Sequence, residues 1–254
     1  MSLFDLTGKT AVITGSSRGI GRAIAEAMAD AGAKVVISSR KIDACREVVD
    51  AINDKHGSGT AAACAANISS KDDLQELVDF SRKTFGKIDA LVCNAASNPF
   101  YGPMSELPDE AFQKILTNNI MANNWLIQMI APEMRERKDG SITIISSIGG
   151  LRGTTVLGAY AISKAADMQL ARNLAHEFGP DNVRVNTIAP GLVRTDFARA
   201  LWENPETLKR TTSTAALRRI GEPHEIAGAA VMLAAPAGAF LTGQTIVIDG
   251  GTTA

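Results

Sequence analysis

Short apolar runs alternate with helical patterns along the whole chain, and that alternation leaves few folds open. The runs are Thr10–Thr14, Lys34–Ser38, Thr60–Ala66, Ile88–Cys93, Ser141–Ile145, Val183–Ile188 and Thr245–Ile248. Most are β-branched and continuously apolar, as strands covered on both faces are. Helical patterns fill the intervals at Ile20–Ala31, Ile42–Lys55, Lys71–Phe85, Pro108–Lys138, Gly158–Phe178 and Pro223–Leu233. Repeated strand–helix–strand units with right-handed crossovers predict an α/β, doubly wound fold with a parallel seven-stranded sheet flanked by helices. No linker or repeat divides residues 1–254, so one domain is expected. Gly191–Glu222 shows weak periodicity and reads as a long loop, of the kind that often serves as a lid. The lid is placed at about residues 192–220.

Composition narrows the function. The chain has 26 basic and 27 acidic side chains, a net charge of -1, which argues against broad attraction to nucleic acid or anionic membrane. No run approaches the ~18 apolar residues of a membrane span. Cys45, Cys64 and Cys93 are scattered without CxxC spacing, which suits free thiols in a reducing compartment. The opening MSLFDLTGKT has no apolar signal core, and GGTTA is neither a peroxisomal nor a prenylation signal. A cytoplasmic protein is expected by elimination. His56, His176 and His224 lack metal-ligand spacing, so no metal is expected.

Between the first strand and first helix stands Thr14-Gly15-Ser16-Ser17-Arg18-Gly19-Ile20-Gly21. In that position Gly15 would make the turn, Gly19 would let backbone approach a pyrophosphate, and Gly21 would let helix and strand pack closely. First-turn N–H groups and the helix dipole would hold the anion. The bland reading is a glycine-rich turn without a ligand. A dinucleotide-binding Rossmann fold usually has an acid ~20 residues on, for a ribose 2′-hydroxyl. Here the second strand ends Ser38-Ser39-Arg40-Lys41, without one. Arg40 and Arg18 are suited to clasp a 2′-phosphate, which favours NADP, unless both are solvated surface arginines.

Tyr160 and Lys164 lie four apart on a predicted helix and so share a face. A phenol with pKa ≈ 10 is a poor base at neutral pH, and a nearby ammonium is expected to lower that value. Ser146 and Ser147 follow the fifth strand, at the ligand-binding edge of such a sheet. Asn118 and Asn119 sit inside a helix, where Asn is a weak former, which invites a water site or a local distortion.

Together these residues resemble the short-chain dehydrogenase/reductase family across essentially the whole chain. The matching segments are TGSSRGIG, CNAA, Asn119, ISS ending at Ser147, YAISK, RVNTIAPG and IDGG. SSRK, NPFYG and the Leu201–Trp202 pair are similar to its NADP-dependent carbonyl and retinol reductase branch. The resemblance implies Tyr160 as general acid/base, Lys164 lowering its pKa and holding the nicotinamide ribose, and Ser147 polarising the carbonyl. It implies Asn119 holding a water that links Lys164 to solvent. It implies cofactor contacts from Gly15, Ser17, Arg18, Gly19, Ile20, Gly21, Arg40, Asn67, Ile68, Asn94, Ala95, Tyr160, Lys164, Pro190, Gly191, Val193 and Thr195. Asn67 stands where the family commonly has Asp, and CNAA replaces the commoner NNAG. The implied reaction is reversible hydride transfer between NADPH and a ketone or aldehyde, in a homotetramer or dimer built on the long helices.

Phe100, Tyr101, Met104, Leu151, Val156, Leu157, Phe197, Leu201 and Trp202 would converge on an apolar substrate pocket, unless the lid aromatics pack locally or at a subunit contact. Arg152 could attract a carboxylate there, or be a surface residue. One rival is a 3-oxoacyl reductase acting on carrier-protein or CoA thioesters, with Arg194, Arg199, Lys209 and Arg210 meeting an acidic carrier. Another is a non-catalytic NADP-binding sensor or scaffold, against which the set Asn119, Ser147, Tyr160 and Lys164 speaks.

Overall fold

The computed structural model describes residues 2–254. Seven strands form one parallel sheet: β1 (Thr10–Thr14), β2 (Lys34–Ser39), β3 (Ala61–Ala65), β4 (Ala90–Cys93), β5 (Gly140–Ile145), β6 (Val183–Pro190) and β7 (Thr245–Ile248). The helices are α1 (Gly19–Asp30), α2 (Ile42–His56), α3 (Lys71–Phe85), α4 (Asp109–Leu116), α5 (Ala122–Arg137), α6 (Gly158–Phe178), α7 (Arg199–Trp202), α8 (Pro205–Thr212) and α9 (Pro223–Ala234). The strand order is β3-β2-β1-β4-β5-β6-β7. The winding therefore reverses between β1 and β4, and in such sheets a ligand crevice opens beyond the carboxyl ends of the strands at that reversal.

The buried runs explain the layers. Neighbouring residues of a strand point to opposite faces. Ile13 and Ile37 join a core with Ile24, Met28 and Ile226 from α1 and α9. Val12 and Val36 join the opposite core, with Leu74, Leu126 and Phe178 from α3, α5 and α6. No helix among the described residues is long and apolar enough to cross a membrane.

Two segments differ from the sequence reading. Pro108–Lys138 is not one helix: a π-helical turn at Thr117–Met121 separates α4 from α5, while Pro132 is accommodated inside α5. Ala122 N–H reaches five residues back to Thr117 O, and the Asn123 side chain donates to the Asn119 carbonyl at 2.6 Å. The 191–222 segment is not bare loop; it holds a 3-10 turn at Asp196–Ala198, then α7 and α8. Helices this short show no periodicity, but Asn204 caps α8 by accepting from the N–H groups of Glu206 and Thr207. Both ends of the segment are tied together where Val193 pairs with Gly221. There Arg194 N–H donates to Gly221 O and Gly221 N–H to Leu192 O, each at 2.9 Å.

Candidate active site

The glycine turn follows β1 at the winding reversal. Gly15 and Gly19 have φ of +65° and +59°, a region that disfavours side chains. A Cβ on Gly21 would stand 2.5 Å from Gly15 O, so the third glycine is needed for close packing. Asn94, just beyond β4, braces the turn: its Nδ2 donates to Thr14 O at 2.9 Å and to Gly15 O at 3.1 Å. Thr14 Oγ1 accepts from the N–H groups of Asn94 and Ala95, each at 3.1 Å. The backbone is thus fixed in a cradle with no side chain over Gly19 except Thr195, whose Cγ2 would lie 3.3 Å from a Cβ there. That geometry fits a dinucleotide phosphate.

From this cradle a cleft of about 470 Å³ runs along the carboxyl edge of the sheet. Of the residues singled out from the sequence, its wall gathers Arg18, Gly19, Ile20, Asn94, Ala95, Ser147, Tyr160, Lys164, Pro190, Gly191, Val193 and Thr195. Gly15, Ser17 and Gly21 belong to the turn beside it. Arg40 and Asn67 lie exposed just past the ends of β2 and β3, with Ile68 half-buried next to Asn67. Asn119 stands behind the wall, fully buried in the π-helical turn.

The two serines after β5 have different partners. Ser146 Oγ donates to Lys164 O at 2.7 Å and joins strand to helix. Ser147 Oγ accepts from Gly149 N–H at 3.1 Å. Tyr160 and Lys164 share one face of α6, with Lys164 Nζ 5.6 Å from the phenol ring centroid. Lys164 is 2% exposed, and its Nζ donates to Ile145 O at 2.8 Å and to Asp167 Oδ2 at 3.0 Å. Asn119 ties this face to the loop after β4. Its Nδ2 donates to Ser163 Oγ at 3.0 Å and Ser97 O at 3.1 Å, and its Oδ1 accepts from Ser97 N–H at 2.8 Å.

One expectation from the sequence is corrected. Lys164 does pull the Tyr160 pKa down, but burial outweighs it and holds the phenol above its ordinary value. Asp167 adds to the upward push, while Ser147 adds a smaller downward pull. Reasoning from the Tyr–Lys pair alone missed Asp167, whose charge reaches both groups.

The front wall comes from the 191–222 segment. The Phe197 ring lies 5.8 Å from the Tyr160 ring, tilted by 44°. Trp202 packs locally, donating from Nε1 to Thr195 O at 2.8 Å beneath the Arg194 guanidinium. Arg18 reaches across from the glycine turn to Asp196 at 3.0 Å. Ile148, Leu157 and Leu201 complete an apolar lining. Asp167 and Asn123, both buried beside Lys164, had also escaped the sequence reading. Their signal was a charged residue and an amide on otherwise apolar helix faces, at i+3 from Lys164 and i+4 from Asn119. No cluster of three or more metal-ligating side chains occurs among the described residues.

The glycine cradle at a winding reversal, continuous with a cleft holding paired hydroxyls and a buried ammonium, is the plan of a nucleotide-dependent α/β enzyme. A family profile described as Enoyl-(Acyl carrier protein) reductase matches residues 15–253. Dehydrogenase/reductase SDR family member 4 of Bos taurus is 40% identical over 247 residues, covering 97% of this chain and 88% of the relative. The solved structure of a 7α-hydroxysteroid dehydrogenase complexed with NADH and 7-oxo glycochenodeoxycholic acid superposes with a TM-score of 0.93 at 38% identity, covering 98% of this chain and 96% of that one. An RhlG/NADP active-site complex from Pseudomonas aeruginosa does so with a TM-score of 0.92 at 32% identity, covering 99% of each chain. The chain belongs to the short-chain dehydrogenase/reductase family, whose members are oxidoreductases of hydroxyl and carbonyl groups.

Proposed function

We propose that this enzyme is an NADP-dependent carbonyl reductase and alcohol dehydrogenase for bulky apolar ketones or aldehydes, with Tyr160 as general acid/base. The supporting observation is the joint presence of Tyr160, Ser147 and Lys164 on the wall of the cleft that begins at the glycine turn. The nicotinamide cofactor, when bound, supplies the hydride. Gly15, Ser17, Gly19, Ile20 and Gly21 would hold its pyrophosphate at the α1 N-terminus. Asn67 and Ile68 would hold the adenine end and Pro190, Gly191, Val193 and Thr195 the nicotinamide end, while Asn94 and Ala95 brace the sheet edge.

The chain's own residues manage the substrate oxygen. Ser147 donates to the carbonyl oxygen and polarises it. As charge develops there, the Tyr160 hydroxyl transfers its proton to the oxygen. Lys164 stabilises the phenolate left behind. In oxidation the phenolate takes the alcohol proton instead. Burial keeps the phenol protonated, and that is the form reduction needs. Asn119 holds the back of α6 in register with this pair through Ser163.

Arg18 on the cleft wall and Arg40 after β2 support NADP, and no acid at the end of β2 would repel a 2′-phosphate. The lining by Ile148, Leu157, Phe197 and Leu201 supports an apolar substrate under a lid formed by the 192–220 stretch. The carrier-protein reading loses Arg194 and Arg199, which are paired with Glu222 and Asp196, and rests on the exposed Lys209 and Arg210 of α8. Free Cys45, Cys64 and Cys93 suit the cytoplasm. Exposed Met121 and Ile162 on the π turn and α6 suit assembly into a homotetramer, for which light scattering showing a stable monomer would be fatal.

The direct test titrates the protein with NADPH and NADH in parallel at two salt concentrations, then assays aryl ketones against short charged keto acids. NADPH should bind more tightly, with the advantage shrinking in salt, and bulky ketones should turn over best. Equal or tighter NADH binding removes the arginine clasp. A preference for the keto acids removes the apolar pocket.

A further inference from the structure

A carboxylate lies out of reach of solvent directly behind Tyr160 and Lys164. Asp167 is 0% exposed, three residues beyond Lys164 on α6. Its Oδ2 accepts from Lys164 Nζ at 3.0 Å, and its Oδ1 accepts from Asn123 Nδ2 at 3.1 Å. That Nδ2 also donates to the Asn119 carbonyl at 2.6 Å, inside the π-helical turn. Lys164 gives a second N–H to Ile145 O at 2.8 Å, which leaves one. Opposite charges this deep persist only when they meet each other and further hydrogen bonds support both.

We propose that Asp167 is a positioning residue for the reaction: it keeps Lys164 charged across the working pH range, with one N–H left to offer, and anchors that charge through Asn123 to Asn119. The proposal rests on the role assigned above to Tyr160 and Lys164.

The titratable groups whose charges reach Lys164 are Asp167 and Tyr160 on its own helix and Cys93 on β4. β5 presents the Ile145 carbonyl and α5 presents the Asn123 amide. Burial opposes the Lys164 charge, yet Asp167, followed by Tyr160, holds its pKa above the ordinary lysine value. With the Asp167 charge removed, burial dominates, and Lys164 discharges as pH rises. The phenolate then loses its stabilising charge on the alkaline side.

The test has two independent arms. Lysine side-chain NMR of the unaltered protein, with the Lys164 signal assigned from Lys164→Met, should show the ammonium surviving beyond ~10.4, the ordinary lysine midpoint. A midpoint at or below that value overturns the proposal whatever any variant does. In Asp167→Asn, kcat/KM should acquire an alkaline limb ~2 pH units or more below that of the parent. A parent-like profile from folded Asp167→Asn overturns it too. If that variant does not fold, the NMR arm decides. Near-normal turnover in Tyr160→Phe would remove the underlying mechanism and leave the Lys164 titration standing, so the two failures are separable.

Discussion

The back and front of the cleft are built on opposite principles. At the back, Lys164, Asp167, Asn119, Asn123 and Ser163 are all buried and joined by side-chain hydrogen bonds, with the Asn119 carbonyl accepting from Asn123 as the link. At the front, the 191–222 segment is held by half-exposed ion pairs, Arg18–Asp196, Arg199–Asp196 and Arg194–Glu222, and Phe197 is 54% exposed. Exposed pairs contribute roughly 0–1 kcal/mol, whereas removing one partner of a buried pair costs about 3–5 kcal/mol. The back is therefore fixed in one arrangement, while the front can be rearranged at little cost. On the proposed mechanism, the proton transfer falls on the rigid side and substrate contact on the adaptable one.

Four substitutions sharpen or break this contrast. Tyr160→Phe at the back should cut kcat by at least ~10²–10⁴-fold with NADPH binding retained. The phenolate absorbance missing from that variant should form in the parent only above the ordinary phenol range, since burial raises the Tyr160 pKa. Appearance of that signal at neutral pH would refute the burial argument. Gly21→Ala should come next, because its Cβ meets backbone 2.5 Å away at Gly15 O. A loss of about 1–3 kcal/mol in denaturant unfolding is expected, with weakened cofactor binding. Phe197→Ala at the front should lower kcat/KM for bulky ketones ~10-fold and leave small ketones nearly unchanged. Equal losses for both would place Phe197 in the chemistry rather than the wall. Asp196→Asn should be the mildest, shifting stability by less than about 1 kcal/mol. It also frees Arg18, so NADPH affinity should rise a few-fold while NADH affinity stays put; calorimetry with both nucleotides decides it.

The same contrast governs what could be read in advance. The strands were legible because continuous apolar runs report burial on both faces, and α6 was legible to its last residue, Phe178. The glycine turn and the Tyr160–Lys164 spacing are local, so they survive in a linear string. Asp167 and Asn123 acquire their role only because α5 and α6 meet, which no short window records. The break at Thr117–Met121 was hinted at by Asn118 and Asn119, but its π geometry depends on the Asn123 amide reaching Asn119 O. α7 and α8 were missed because four and eight residues are too few to display a period. The Tyr160 pKa was misjudged because sequence spacing shows the nearby ammonium and says nothing about desolvation.

The closure at Val193 and Gly221 also bears on ancestry. An insert whose two ends are already joined adds little closure entropy when its length changes. Residues from Asp196 onward between those anchors can thus lengthen, shorten or change sequence without disturbing the sheet. On the proposed reading, a new substrate range would come from replacing this one cassette, with Tyr160 and Lys164 left in place beneath it.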